Sequence, residues 1–594
     1  MARLFTLSTI SSSVARRRTA LRAAHRDMTL GASRGTAPTG GARAAGAVTA
    51  GAAREAASAR ADDIRGAFGT VRFDAADRPL GWGRRLRYLL AIMGPGLIVM
   101  VGDNDAGGIA TYTQAGQDYG TRLLWVLLLL IPVLVVNQEM VVRLGAVTGL
   151  GHAKLIHERF GTFWAALSVG DLVLVNGLTI VTEFIGVALA GDYFGVPRWI
   201  STLGAAGLLV AFTATGSFRR WERWMYALIA VNVVMLPLAF VAHPAPARVA
   251  HDLLVPGLPT GQGTGVLLLI IAMVGTTVAP WQLYFQQSNL VDKRITPRWI
   301  SFERADTAIG SLVVVAGAAV LITVAAAGFT ATPLQGHFTD AAAAAQGLAH
   351  TVGHHAGGMF ALLLLDGSLI GAAAVTLATS YALGDMTGAR HSLHRSAKDA
   401  PVFYGVYGLF LLAGATVVLI PGAPLGLITE GVQALAGVLL PSAAVFLVLL
   451  CNDRHVLGPW VNRPWVNVLA GTVIGVLVLL SLALTAATLF PRLDGGQLRL
   501  MLGVGAGAGL AVAAGFWIAR RRARNRLPAD PEADLDTGVV LEAERLTWRM
   551  PPLSELPRSR WSIGRRVSLM SLRVYLVVAV GLVILKIIQL AVAT

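Results

Sequence analysis

Two stretches of this 594-residue chain place polar and helix-breaking residues inside apolar sequence. The first runs Val101-Gly-Asp-Asn-Asp-Ala-Gly-Gly-Ile-Ala-Thr-Tyr-Thr-Gln-Ala-Gly116, the second Val274-Gly-Thr-Thr-Val-Ala-Pro-Trp-Gln-Leu-Tyr-Phe-Gln-Gln-Ser288. Asp103 and Asp105 fall at a depth where a charge costs about 3 kcal/mol or more. A helix broken at glycine or proline exposes backbone carbonyls, and carbonyls beside a carboxylate suit a hard cation. Corresponding broken helices in two halves of a membrane protein point to an ion site near the bilayer midplane. The chemistry on offer is therefore cation coordination, with no covalent step.

The elements that must position these residues are membrane helices. The chain is 55% apolar and only 14% charged, with a mean hydropathy of +0.63, against about 25% charged residues in soluble proteins. The net charge of +16 is then an orientation signal rather than a nucleic-acid footprint. Spans of about 20 apolar residues are expected near 89–116, 123–142, 163–190, 199–216, 223–243, 264–288, 305–328, 358–384, 402–420, 429–450, 466–490 and 499–519. A thirteenth is expected at 573–593. Placing the amino terminus in the cytoplasm puts Arg143, Arg219, Lys293, Arg390 and Arg454 with their basic neighbours on the inside. The outer loops then keep only Arg122, Arg198, Arg248, Arg492 and Arg499. Spans one and six enter from opposite sides, as two inverted five-helix repeats require.

Residues 1–84 read as a basic, disordered arm, with a transit peptide or a start at Met28 as alternatives. Residues 85–520 are expected to form the polytopic membrane core, 521–572 a cytoplasmic linker and 573–594 a possible further membrane helix. The single cysteine, Cys451, excludes an intrachain disulfide and a multi-thiolate metal site.

The motifs resemble the Nramp family of divalent-metal transporters. In that family, helix one carries Asp-Pro-Gly-Asn followed by Ile-Ala-Thr-x-x-Gln-Ala-Gly. Here Asp105-Ala-Gly-Gly108 precedes Ile109-Ala-Thr-Tyr-Thr-Gln-Ala-Gly116. The segments Leu123-Leu-Trp-Val-Leu-Leu-Leu129, Arg143-Leu-Gly-Ala-Val-Thr-Gly149 and Asp453-Arg-His-Val-Leu-Gly-Pro-Trp-Val-Asn462 also look like family sequence. Gln433, eight residues before Pro441, stands at the spacing of the family's metal-binding glutamine. The resemblance covers about residues 85–490 and implies an all-α membrane protein of the LeuT-type fold, with extra C-terminal membrane helices. It also implies a multi-pass protein of the bacterial plasma membrane. Its partners would be a divalent cation and the bilayer, with no nucleic acid and no cofactor beyond the transported Mg2+ or Mn2+.

The departures from the family pattern narrow the expectation. The family's helix-one asparagine is Gly108, and its Met-Pro-His-Asn in helix six is Ala279-Pro-Trp-Gln282. Loss of a soft thioether leaves an oxygen site, which suits partly hydrated Mg2+ and still admits Mn2+. These changes resemble the Nramp-related magnesium transporter branch. The family's helix-three Asp-x-x-Glu is reduced to Ile180 and Glu183, and Trp281 replaces the titratable histidine. Uptake without obligatory proton coupling is therefore expected. The rival is a proton-coupled Mn2+ or Fe2+ symporter; an amino-acid transporter of the same fold is more remote, because Asp103 and Asp105 would repel a substrate carboxylate.

The expected metal site comprises Asp105, the carbonyls of Gly108 and Thr276, Gln433, and Ala279 as a shaping residue. Asp105 could also cap the second half of the broken helix. Asp103 reads either as an outer or vestibule acid or as a helix-end group. Gln433 could instead make an interhelical hydrogen bond, and Trp281 could simply pack. Gln282, Glu183 and Asp366 complete the set around the site or its access, since intramembrane acids carry a function or a buried partner by default.

Overall fold

The computed structural model describes residues 63–72, 81–259, 263–489, 495–524, 545–557 and 569–575, with isolated positions beyond. Residues 1–62 lie outside the described residues. Described residues begin with an antiparallel hairpin, β1 (Ile64–Gly66) and β2 (Gly69–Val71), in which Ile64 opposes Val71. Helices α1 (Trp82–Ile92), α2 (Pro95–Val101), α3 (Ala106–Tyr119) and α4 (Leu124–Thr148) follow. Next come α5 (His152–Phe160), α6 (Thr162–Tyr193), α7 (Arg198–Thr213), α8 (Phe218–Val231), α9 (Met235–Ala242) and α10 (Pro246–Leu254). The second half contains α11 (Gly263–Thr277), α12 (Pro280–Asp292), α13 (Ile300–Phe329), α14 (Ala341–Thr351), α15 (His354–Thr387) and α16 (Pro401–Val418). It ends with α17 (Leu425–Cys451), α18 (Arg454–Leu457), α19 (Pro464–Leu489) and α20 (Gly495–Arg524).

Both expected interruptions are present. The first separates α2 from α3 at Gly102–Asp105, and the second separates α11 from α12 at Val278–Ala279. Among the described residues, nine helical stretches are long and apolar enough to cross a membrane, and Arg198–Thr213 is a shorter apolar helix. One stretch, Ala106–Thr148, joins two expected spans through the 3-10 turn Gly120–Leu123. The span expected at 223–243 is divided by a second 3-10 turn, Asn232–Val234.

In one set of contacts, α13 lies against α2, α3 and α4, α12 lies against α4, and α11 lies against α17. In another, α6 lies against α7, α15 and α16, and the two sets are joined where α12 meets α15 and α17 meets α6. Helices α15 and α6 approach closely at glycines: a Cβ at Gly186 would collide with Ser368 of α15, and one at Gly371 with Glu183 of α6. Small residues let membrane helices approach, since lipid supplies no hydrophobic drive between them.

Two expectations about the ends of the core need correction. Residues 64–71 belong to the folded body and not to a disordered arm: Ile64, Ala67 and Val71 are buried. The backbone N–H of Ala67 donates to Glu222 Oε2 at 2.5 Å. A composition reading missed this because the partner lies 155 residues away. Residues 545–557 are not a free linker. Trp460 Nε1 donates to the Arg545 carbonyl at 2.7 Å, the Arg545 guanidinium lies 4.0 Å from the Trp460 ring centre, and Met550 N–H donates to the Val147 carbonyl at 3.2 Å. The expected span 573–593 falls largely outside the described residues.

Lys293, counted among the inner basic residues, is buried. It pairs with Glu222 at 2.5 Å, both side chains being fully buried, and donates to the Met93 carbonyl at 2.7 Å. Nearby, Asp306 on α13 accepts from the N–H groups of Gly94, Gly96 and Leu97 at 3.0, 2.8 and 3.1 Å, capping α2 from another helix. Removing one member of a buried pair leaves an uncompensated charge, at a cost of about 3–5 kcal/mol. Lys293→Ala is therefore expected to lower the thermal unfolding temperature of the detergent-solubilised protein markedly; an unchanged midpoint would mean the pair contributes nothing net.

Candidate cation site

The break in the first helix is organised by Asp105. Its backbone is extended (φ −76°, ψ −176°), and its Oδ1 accepts from Gly108 N–H at 2.7 Å, so it is the N-cap of α3. Such a cap satisfies one of the free donors of the first turn. Glu183 on α6 takes a second one, Ala106 N–H, through Oε2 at 3.1 Å. Asp105 and Glu183 share a wall made by Gly371 of α15. A Cβ built there would stand 2.7 Å from Glu183 Oε2 and 2.8 Å from Asp105 Cβ.

The break in the second helix follows from Pro280. Proline has no N–H, so the Thr276 carbonyl four residues earlier lacks its helical donor. The Thr276 hydroxyl is buried with no hydrogen-bond partner. The next residue is engaged: the Thr277 hydroxyl meets Tyr112 Oη at 2.7 Å, and its carbonyl accepts from Gln282 Nε2 at 3.0 Å. Ala279 is buried and caps α12 with an extended backbone.

Gln433 of α17 touches one helix at each break, α3 and α11. Its side-chain amide lies against Gly107, where a Cβ would collide with it, and its backbone carbonyl lies against Gly275. Gln433 is buried, and its Nε2 has no hydrogen-bond partner. Asp105 and Thr276 are thus two residues and one residue along the chain from the points that Gln433 touches. Trp281 borders the first break: its ring stands 3.2 Å from a Cβ built on Gly102. Trp281 also packs edge-on against Phe285, with ring centres 6.0 Å apart. A cleft lined in part by Ala106, Thr111, Thr182, Gly186, Asp340 and Glu430 reaches the first turn of α3.

Two expected members sit differently. Gly108 does not offer a freed carbonyl, because α3 resumes at Ala106 and residue 108 is already within the helical ladder. Its role is space: a Cβ there would stand 2.4 Å from the Asp103 carbonyl oxygen. Asp366 is turned to the 3-10 turn, its Oδ2 accepting from Asn232 Nδ2 at 2.7 Å. The neighbouring Gly367 and Gly371 carry the face of α15 that meets the first break. That Gly-x-x-x-Gly spacing is the signal by which the sequence could have marked them. Tyr112 and Gln138, which reach the site through Thr277 and Gln282, carried no such signal.

No group of three or more His, Cys, Asp or Glu side chains able to hold a metal occurs among the described residues. A cation here must be bound by few acids with carbonyl, amide and hydroxyl oxygens, a donor set suited to hard cations.

Known proteins match this picture. The sequence profile of the natural resistance-associated macrophage protein-like (Nramp) family matches residues 96–487. A divalent metal cation transporter, MntH, of Bradyrhizobium diazoefficiens is 29% identical over 446 residues, covering 69% of this chain and 91% of the relative. MntH of Bacillus subtilis is 27% identical over 435 residues, covering 68% and 94%. A crystal structure of a mutant Eremococcus coleocola manganese transporter superposes with a TM-score of 0.58 at 20% identity, covering 74% of this chain and 95% of that one. The fold is thus the all-α, LeuT-type membrane fold read from the sequence. The protein is a transporter and not an enzyme, and with a family profile that matches well over half of its length the chain belongs to the Nramp family of divalent-metal transporters.

Proposed function

We propose that this transporter carries Mg2+ in preference to Mn2+ across a bacterial plasma membrane, by alternating access and without stoichiometric proton movement. Its amino terminus is cytoplasmic in this reading, as the distribution of basic residues favours. Asp105, the Thr276 carbonyl and Gln433 hold the cation, and Ala279 gives the room for its remaining waters. One observation carries the reading: the buried residue ahead of Pro280 is an alanine, which brings no soft sulfur to a break that holds the Asp105 carboxylate and the unpartnered Thr276 hydroxyl. A hard ion that keeps part of its hydration shell fits such a site better than a soft one.

The absence of coupling is supported by the residues flanking the site. Trp281 has no titratable nitrogen. Ile180 is buried against Gly414 of α16, so that position of α6 offers no acid. A second reading, proton-coupled Mn2+ uptake, is favoured by the MntH relatives and by Glu183, which is fully buried with Oε1 unpartnered. The experiment that separates them loads proteoliposomes with a pH dye and applies Mg2+ or Mn2+ gradients at clamped membrane potential. Mg2+ entry with no saturable acidification is expected. Acidification that saturates together with uptake would overturn the uncoupled reading, and its loss in Glu183→Gln would identify the proton acceptor.

A further inference from the structure

Asp103 lies in the first break, fully buried, and its surroundings differ from those of Asp105. It caps no helix end. Its Oδ1 accepts from Gln282 Nε2, and its Oδ2 has no hydrogen-bond partner. The same Gln282 amino group donates to the Thr277 carbonyl. A carboxylate and a carbonyl can only accept, so the amino end of Gln282 must lie between them. The Gln282 oxygen then faces away and needs a donor. Gln138 on α4, fully buried, supplies it: Nε2 donates to Gln282 Oε1 at 3.1 Å.

This relay fixes one oxygen of Asp103 and leaves the other open. A buried carboxylate with an unmet lone-pair face is expensive unless a positive partner arrives. With Asp105 two residues away, the break carries two carboxylates, matching the charge of a divalent ion. Ligation through Oδ1 would break the Gln282 bond, whereas Oδ2 can accept from a water of the cation's hydration shell with that bond intact. Bridging waters are nearly as favourable as direct hydrogen bonds, and Mg2+ gives up its waters reluctantly.

We propose that Asp103 determines specificity by reading the cargo's hydration shell through Oδ2, and that Gln138 is a positioning residue acting through Gln282. The proposal rests on the divalent-cation reading above. Its test is isothermal titration of the purified full-length protein with Mg2+ and with Mn2+, so that the readout does not depend on transport. Asp103→Asn is expected to weaken Mg2+ binding about tenfold and Mn2+ binding about threefold or less. Gln138→Met keeps the side-chain volume and removes the donor. It is expected to weaken Mg2+ binding about fivefold alone, and to add nothing in the Asp103→Asn background, as coupled residues do. Equal weakening in both backgrounds, or equal loss of both ions in Asp103→Asn, overturns the proposal. If Gln138→Met yields too little folded protein, Gln138→Glu sets an acceptor against Gln282 Oε1 and runs the same cycle. A wild type that binds neither ion overturns the cation reading beneath it; a wild type that binds both, with Asp103→Asn unaffected, overturns only the role of Asp103.

Discussion

Asp105→Asn is expected to cut divalent-cation flux about a hundredfold, equivalent to about 3 kcal/mol, while leaving the helix break intact. The choice of asparagine separates two roles that coincide in this side chain. Asp105 Oδ1 caps α3 by accepting from Gly108 N–H, and an asparagine oxygen caps a helix equally well. The substitution therefore keeps the local structure and removes the charge. Asp105→Ala removes both, at an added cost of about 1 kcal/mol in stability. Should the asparagine variant transport near wild-type rates at equal expression, the carboxylate would be a cap and nothing more. If flux is lost in both variants while their unfolding temperatures stay close to wild type, the negative charge itself is what the cargo requires.

Ala279→Met is expected to change the selectivity ratio of Mg2+ to Mn2+ or Cd2+ about tenfold against Mg2+ in competition flux. Ala279 is buried at the head of α12, and a thioether there adds a soft ligand where oxygen donors now stand. Filling that space also removes room for hydration water, which penalises Mg2+ further. Overpacking costs about 1–3 kcal/mol, so some loss of stability accompanies the shift. Adding Gly108→Asn, which would complete the family pattern, is expected to impair the variant. A Cβ at residue 108 would sit 2.4 Å from a backbone carbonyl, that of Asp103, and backbone yields less readily than a side chain. An unchanged ratio in Ala279→Met would place selectivity elsewhere, with Trp281 and Asp103 the next residues to vary.

Much of this molecule was legible in its sequence, because the bilayer restricts what a chain can do. Backbone groups in lipid must be satisfied within helices or inside the protein. Apolar spans, their basic flanks and the glycine and proline interruptions thus marked the helices and both breaks directly. Asp105 drew attention for a related reason, since a charge at that depth needs a partner, whereas Gln433 was proposed from its resemblance to the family's metal-binding glutamine. Helix interruption made the Thr276 and Gly108 carbonyls candidates alike.

Tertiary structure alone decided the rest. Gly108 looked like a freed carbonyl, but the helix resumes at Ala106, so the residue serves to admit the Asp103 carbonyl. For Asp366 the sequence left open a place at the access or a buried partner, and Asn232, in the 3-10 turn between α8 and α9, engages one oxygen of its carboxylate. Lys293, counted among the inner basic residues, is buried against Glu222, while the hairpin at 64–71 and the segment 545–557 read as loose chain and are docked. The alternatives for Asp103 were separated by Gln282 and Gln138, which lie 179 and 35 residues from it in sequence or reach it through one another. Periodicity and local motif report what a residue's neighbours along the chain require. Which distant side chain completes a hydrogen bond depends on how the helices pack, and the physics of that packing is written in pairs of residues rather than in any one segment.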